Sequence, residues 1–281
     1  MKIAVIPNLI KDKGLSLTSK CINALSKHAE LFVSGQYAEY KLGAGLLSEE
    51  ELYKNCDIIL TLGGDGTLMS SLRKAAPYGN RVLGLNLGKV GFLTGIEIEN
   101  FFETAFEDII NEKYVQERMM LCAQIIRGGN VLDSYLAVND VVIACASFAH
   151  ITSTSVYADG EFVNTFRGDG VVFATPTGST AYSLSAGGPI VAPDVNAFVV
   201  TPICPHMLNT RPLIMSSDKV LTAEVCKGEK HSSSVTVDGQ EAVELLPGDI
   251  VRVSKADAYA KIIVLHGTDF YELLRNKLQG A

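Results

Sequence analysis

Asp57-Ile58-Ile59-Leu60-Thr61-Leu62-Gly63-Gly64-Asp65-Gly66-Thr67 is the stretch that decides how this chain folds. Past Asp57, residues 58–62 are apolar but for Thr61 instead of alternating, the pattern of a strand covered on both faces in a parallel sheet. The glycines at 63, 64 and 66 then let the backbone turn sharply and approach a ligand with no Cβ in the way. Thr67 to Ala76 reads as helix, so the glycine-rich turn lies at the carboxyl end of a buried strand and at a helix N-terminus. Open α/β sheets bind ligands at that place, and the free N–H groups and positive dipole end of the helix suit an anion. The turn is neither a P-loop nor a Rossmann fingerprint, because lysine is absent and the spacing differs. Gly84-Leu85-Asn86-Leu87-Gly88-Lys89-Val90 also falls short of a P-loop, since its glycines are too close and Val90 stands in the Ser/Thr place.

Outward from this stretch, strand and helix signals alternate. Ile3 to Pro7 is a short apolar run, and Leu15, Ile22 and Leu25 give a helical stripe. Ala29 to Val33 is strand-like, Ser48-Glu49-Glu50-Glu51 is a capped helix start, and Arg81 to Leu87 is a further strand. The alternation predicts an α/β, Rossmann-like domain with a parallel sheet over residues 1–97. Around Gly95 the pattern changes. One more helix is expected from Asn100 to Asn111, and after it strands dominate. Gly128-Gly129 marks a hairpin turn between Gln124–Arg127 and Val131 onward. Val138–Cys145, Ser153–Ala158, Val171–Thr175, Ala197–Pro202, Lys219–Cys226, Ser233–Val237, Ile250–Val253 and Ala260–Leu265 follow. Short strands separated by Gly, Pro and Asn predict an all-β, sandwich-like domain over residues 98–266. Residues 267–281 are expected to rejoin the first domain through a closing helix, Asp269 to Leu278, carrying Phe270, Leu273, Leu274 and Leu278.

Composition narrows the classes of function. The chain has 281 residues, 47% apolar and 20% charged, which excludes a disordered protein. No apolar run approaches the roughly 18 residues of a membrane span, so no membrane partner is expected. Met1-Lys2-Ile3-Ala4-Val5-Ile6-Pro7 lacks the features of a signal peptide and reads as the first strand of a cytoplasmic protein. A net charge of −7 weighs against nucleic acid as a partner, because sequence-independent binding rests on Lys and Arg meeting phosphates. The six cysteines are scattered singly with no CxxC pair, as free thiols in a reducing compartment are. The histidines form no metal-ligand spacing, and no HExxH, GxSxG or EF-hand loop is present.

Four groups of residues bear chemistry. Asp65 is the odd member of the glycine-rich turn, since a carboxylate repels the phosphate such a turn would hold. General-base work on an attacking hydroxyl would explain it, as would holding Mg²⁺. Capping the helix is the ordinary structural alternative. Thr175-Pro176-Thr177-Gly178-Ser179-Thr180-Ala181-Tyr182-Ser183-Leu184-Ser185-Ala186-Gly187-Gly188 is dense in hydroxyls between two apolar strands. Such a segment suits recognition of ribose, amide and phosphate oxygens, with Ser179 or Thr180 capping a short helix and Gly187 ending it. Asn139-Asp140 interrupts an apolar run and needs partners. A ligand clamp or an Asx-type turn would supply them. In Phe166-Arg167-Gly168-Asp169-Gly170, Arg167 suits a phosphate and Asp169 a ribose, the alternative being a surface turn.

Taken together and in this order, Gly63-Gly64-Asp65-Gly66-Thr67, Leu87-Gly88-Lys89-Val90-Gly91-Phe92-Leu93-Thr94, Asn139-Asp140, Gly168-Asp169-Gly170 and Thr175 to Gly188 closely resemble the bacterial NAD kinases. The first of these motifs is shared with lipid kinases and phosphofructokinases, whereas the Thr175–Gly188 string is highly specific. The resemblance spans about residues 1 to 275. It implies transfer of the terminal phosphoryl group of ATP, or of polyphosphate, to the 2′-hydroxyl of the adenosine ribose of NAD, with Mg²⁺ on the phosphates. It makes Asp65 the general base, with Gly63, Gly64, Gly66 and Thr67 as the phosphate loop. Asn139 and Asp140 match the family's NAD-binding pair, in which many members carry Glu where Asp140 stands. Asp169 would bind the ribose on the nicotinamide side, across a subunit contact, with Arg167 nearby. Thr180, Ala181, Tyr182, Ser183, Leu184 and Ser185 would hold the dinucleotide, and Gln240 and His150 are further matches. The resemblance also implies a homodimer or homotetramer. It leaves two competitors: a lipid or sphingoid kinase of the same superfamily, and an NAD(P) sensor without turnover. The specific string argues against the first and Asp65 against the second.

Overall fold

The structure is a computed structural model that describes residues 1–88, 91, 93, 96–111, 114–147, 150–207, 209–226, 232–240, 242–264 and 270–279. The chain divides into two compact units, Met1–Glu117 with Tyr259–Ala281, and Arg118–Ala258.

The first unit runs β1 (Lys2–Pro7), α1 (Ser16–Leu25), β2 (Glu30–Ser34), β3 (Gly45–Leu47), α2 (Glu49–Asn55), β4 (Ile58–Gly63), α3 (Asp65–Ala75), β5 (Arg81–Asn86), β6 (Ile96–Glu97), α4 (Ile98–Phe101) and α5 (Phe106–Ile110). Its strands pair in parallel in the order β5-β4-β1-β2-β3. Each position of β4 is buried, as its nearly unbroken apolar run requires. A capping box starts α2: Ser48 Oγ accepts from Glu51 N at 3.3 Å, and Glu51 Oε2 accepts from Ser48 N at 2.9 Å. The helix expected over 100–111 is instead two short ones. The first ends at Phe101; Thr104 Oγ1 then donates to the Asn100 carbonyl at 3.0 Å, and Ala105 turns extended before the second begins. Ile98, Phe101 and Ile109 pack with Leu83 and Leu85 in the core of this unit. The unit therefore reaches beyond residue 97, where the pattern of strand signals changes. The strand order reverses between β1 and β4, which places the carboxyl ends of these two strands at the topological switch point.

The second unit is antiparallel. β7 (Val115–Arg127) and β8 (Asn130–Ala137) form a hairpin closed by Gly128 and Gly129, with φ of +58° and +83° as its two-residue turn demands. Then come β9 (Asp140–Cys145), β10 (Thr152–Ala158), β11 (Glu161–Gly168), β12 (Gly170–Ala174), α6 (Tyr182–Ser185), β13 (Ala197–Ile203), β14 (Leu213–Ser216), β15 (Leu221–Val225), β16 (Ser233–Val237) and β17 (Val243–Leu245). One sheet has the order β14-β13-β12-β9-β16-β17. Its core is formed by Val142, Val172, Ala174, Val191, Val199 and Ile203. β11, β10 and β15 form a second antiparallel set, continued by β18 (Ile250–Ile263).

Two strands expected at 250–253 and 260–265 are thus one. The intervening Ser254 to Tyr259 stays extended while the buried face shifts from Val251 and Val253 to Ala256, Ala260 and Ile262, a break in alternation that hides the continuity. The closing helix α7 spans Phe270–Gln279 and belongs to the first unit.

Candidate functional site

In the first unit the site is built where β1 and β4 end. Asn8, just past β1, donates through Nδ2 to Thr67 Oγ1 at 3.0 Å and so ties the two strand ends together. Thr67 lies so close to Gly63 that any Cβ at 63 would overlap it. Asp65 is the first residue of α3, with Gly64 before it and no side-chain cap on the helix. The N-cap position is thus held by Gly64, with Asp65 in the first turn. Its half-buried carboxylate rests against the backbone of Gly91, where a Cβ would overlap all three of its terminal atoms. That contact accounts for the glycine in Leu87-Gly88-Lys89-Val90-Gly91-Phe92-Leu93-Thr94, of which Lys89, Val90, Phe92 and Thr94 lie outside the described residues. Gly66 is exposed beside Asp65. One cation here escaped the sequence reading: a Cβ built on Gly64 would stand 2.5 Å from Lys11 Nζ. The available signal was Asn8 and Asp12, two turn-forming residues bracketing Lys11 directly after a strand.

In the second unit, one sheet end gathers Asn139, Asp140, Gln240 and the Thr175–Gly188 segment. Asp140 opens β9 opposite Ala174, the last residue of β12. Thr175 follows and docks on the strand start, its N–H donating to Asn139 O at 2.8 Å and its hydroxyl to Val138 O at 2.6 Å. Gly178 lies so tightly on the Asn139 backbone that no Cβ fits. Asp238, which the sequence reading passed over, organises this end. Its carboxylate accepts the amide hydrogens of Val138 at 2.9 Å, Asn139 at 2.7 Å and Asp140 at 3.0 Å. Asp238 and Gly239 both take positive φ, +48° and +67°, and leave Gln240 exposed. The Asp-Gly dipeptide after an apolar strand was the signal for this turn. Asp140 is 4% exposed, and burial first, then the charge of Asp238, pushes its carboxyl up to about 7. Asn139 Oδ1 is buried without a hydrogen-bond partner.

The hydroxyls of the segment divide into two sets. Ser179 and Ser183 are fully buried and spent within the protein, Ser179 on Pro176 O at 2.6 Å and Ser183 with Thr201 Oγ1 at 2.8 Å. Thr180, Ala181 and Leu184 are half-buried, and Tyr182 and Ser185 are exposed. Ala181, not Ser179 or Thr180, precedes the single turn of α6, and Gly187 ends it at φ +87°.

Arg167, Asp169 and His150 are not brought to this end. Asp169 lies before β12, its N–H donating to Ile203 O at 3.0 Å and its carbonyl accepting from Cys145 N at 2.9 Å. The length of β12, five residues, separates it from Thr175 by about 20 Å. Arg167 lies in β11 opposite Ser153, and exposed His150 just precedes β10. The Asp169 carboxylate accepts from the Cys204 thiol, which raises that thiol's pKa.

Among the described residues no group of three or more His, Cys, Asp or Glu could hold a metal ion, and no helix is long and apolar enough to cross a membrane.

Comparison with known proteins places these features in one lineage. Residues 5–114 match the model of the ATP-NAD kinase N-terminal domain, and residues 138–265 that of the ATP-NAD kinase C-terminal domain. The chain is 40% identical to an NAD kinase of Ruminiclostridium cellulolyticum over 279 residues, covering 99% of this chain and 97% of that one. It is 38% identical to an NAD kinase of Thermoanaerobacter sp. over 279 residues, covering 99% and 98%. Among solved structures it resembles yeast NADH kinase complexed with NADH, with a TM-score of 0.90 and 25% identity over 100% of this chain and 87% of the other. It also resembles an NAD kinase from Archaeoglobus fulgidus in complex with ATP, with a TM-score of 0.78 and 27% identity over 100% of both chains. Matched in both halves and along nearly its whole length, this chain belongs to the ATP-NAD kinase family.

Proposed function

We propose that the protein transfers the terminal phosphoryl group of ATP to the 2′-hydroxyl of the adenosine ribose of NAD, giving NADP. The observation that carries this reading is the carboxylate of Asp65, which heads α3 on the glycine-rich turn and lies against Gly91. The bond from the γ-phosphorus to the oxygen bridging it to the β-phosphate breaks, and a bond from the γ-phosphorus to the ribose 2′-oxygen forms. The hydroxyl proton passes to Asp65 and then to water, and ADP leaves. Phosphoryl transfer asks for positioning and charge neutralisation more than for covalent work. Asp65 as base contributes about 10²–10⁴-fold. Inorganic polyphosphate presents the same chain of phosphates and is the alternative donor. Mg²⁺ enters as part of the Mg·ATP substrate.

Asn139 and Asp140 take the adenosine side of NAD beside Thr180 to Ser185 and Gln240. The partnerless buried oxygen of Asn139 supports this, since a ligand donor would satisfy it. Arg167, Asp169 and His150 serve the nicotinamide side in the site of a neighbouring subunit of a homodimer or homotetramer. Their separation from Asn139 along β12 supports that division. The six free cysteines support a cytoplasmic setting.

The test is to incubate the protein with ATP, MgCl₂ and NAD and to couple any NADP formed to an NADP-specific dehydrogenase. NADPH absorbance that requires every component is the expected outcome. Absence of NADP, together with tight NADP binding, would replace the kinase by a dinucleotide sensor.

A further inference from the structure

We propose that Lys11 and Asn86 seat the phosphodonor, so that the loop after β1 reads the phosphate chain of the donor. The proposal rests on the kinase reading above and assigns the donor's contacts within it. The loop is fastened at both ends. Asn8 Oδ1 accepts from Ile10 N at 3.0 Å and Lys11 N at 3.2 Å, while Asn8 Nδ2 reaches Thr67 on α3. Asp12, 2% exposed, accepts from Leu17 N at 3.1 Å, Thr18 N at 2.8 Å and Thr18 Oγ1 at 2.6 Å at the start of α1. Between these anchors Lys11 is exposed, and its ammonium lies on the Cα of Gly64. An exposed cation on the outer face of a glycine-rich turn, at the N-terminus of α3, faces the place where an anion is favoured.

Asn86 supplies an independent sign of a ligand. It ends β5 in register with Gly63 and is 2% exposed. Its Oδ1 accepts from Gly88 N at 3.0 Å, but its buried Nδ2 has no partner. Buried donors without partners are rare and costly, so an acceptor is missing here. A Cβ on Gly88 would stand 3.9 Å from Lys11 Nζ and 4.0 Å from Asn86 Oδ1, so the ammonium and the amide flank the same glycine. A phosphate oxygen drawn to Lys11 is the acceptor Asn86 lacks. Lysine suits such a place, because a compact charge with rotatable donors can follow phosphate oxygens as they move.

The test compares the parent protein with Lys11→Ala and Lys11→Arg, using ATP binding by equilibrium dialysis and its displacement by inorganic tripolyphosphate, beside steady-state turnover. In Lys11→Ala, affinity for both ATP and tripolyphosphate falls by the same factor, about tenfold to a hundredfold. KM for ATP rises alongside, KM for NAD stays within about twofold, and Lys11→Arg recovers most of the loss. Parent-like binding of both anions by folded Lys11→Ala overturns the proposal, and so does loss of ATP binding alone, which would place Lys11 on the nucleoside. A parent protein that binds neither anion overturns it too. A parent that makes no NADP yet binds tripolyphosphate through Lys11 sinks the kinase reading and keeps this one.

Discussion

Asp238 accepts the amide hydrogen of Asp140 at 3.0 Å, so a second carboxylate stands beside a buried one at the opening of β9. Asp140, pushed up to about 7, is an aspartate whose folded pKa exceeds its unfolded value near 4. It therefore weakens the fold: the penalty is absent below about pH 4, grows as pH rises toward 7, and is complete above it. Asp140→Asn is expected to be more stable than the parent at pH 8, by a few kcal/mol at most. The advantage should shrink to nothing near pH 4. Urea unfolding across that pH range checks this, and a difference that ignores pH would reject the cause.

The same titration acts on substrate binding. A protonated Asp140 accepts hydrogen bonds from ribose hydroxyls poorly, so KM for NAD should rise as pH falls through about 7. KM for ATP should not follow it. Asp140→Ala should raise KM for NAD at every pH and remove the dependence.

Asp65→Asn keeps the size and place of the side chain at the head of α3 but removes the base. Fold and NAD affinity should persist, measured by circular dichroism and calorimetric titration. Turnover should drop by about 10²–10⁴-fold. Activity near that of the parent would remove Asp65 from the chemistry.

Gly91→Ala tests the seat of that carboxylate. The added methyl overlaps Asp65, which must move. Displacing a reacting group by about 1 Å can cost on the order of 10²-fold, so kcat should fall while the melting temperature changes little. A variant with unchanged kcat would show that Asp65 reacts from elsewhere.

The local signals in this sequence were sound where chemistry acts at short range. The Ser48–Glu51 capping box, the Gly128-Gly129 hairpin and the buried run of β4 are each set by residues a few positions apart. What escaped notice depends on distant partners. Lys11 matters because Asn8 reaches Thr67 and because Gly64 has no side chain, neither of which a reading of residues 8–12 alone reveals. Asp238 gains its meaning from amides about a hundred positions away. β11 was missed because it is an edge strand: among the described residues it pairs with β10 alone, so Asn164 and Thr165 need not be apolar. The bracing of the Ser183 hydroxyl by Thr201, eighteen positions on, is likewise invisible in the segment that holds it.

β18 ends beside β5, with Lys261 and Ile262 opposite Arg81 and Val82, while the second unit occupies the chain from Arg118 to Ala258 between them. A nascent chain must therefore release the whole of the second unit before the first can close its sheet. Until residue 262 emerges, the outer edge of β5 at Arg81 and Val82 offers unpaired N–H and C=O groups to any passing strand. Synthesis that stalls or stops short of this strand leaves the first unit with an open seam, and truncation at the carboxyl end should be read first as a hazard of aggregation.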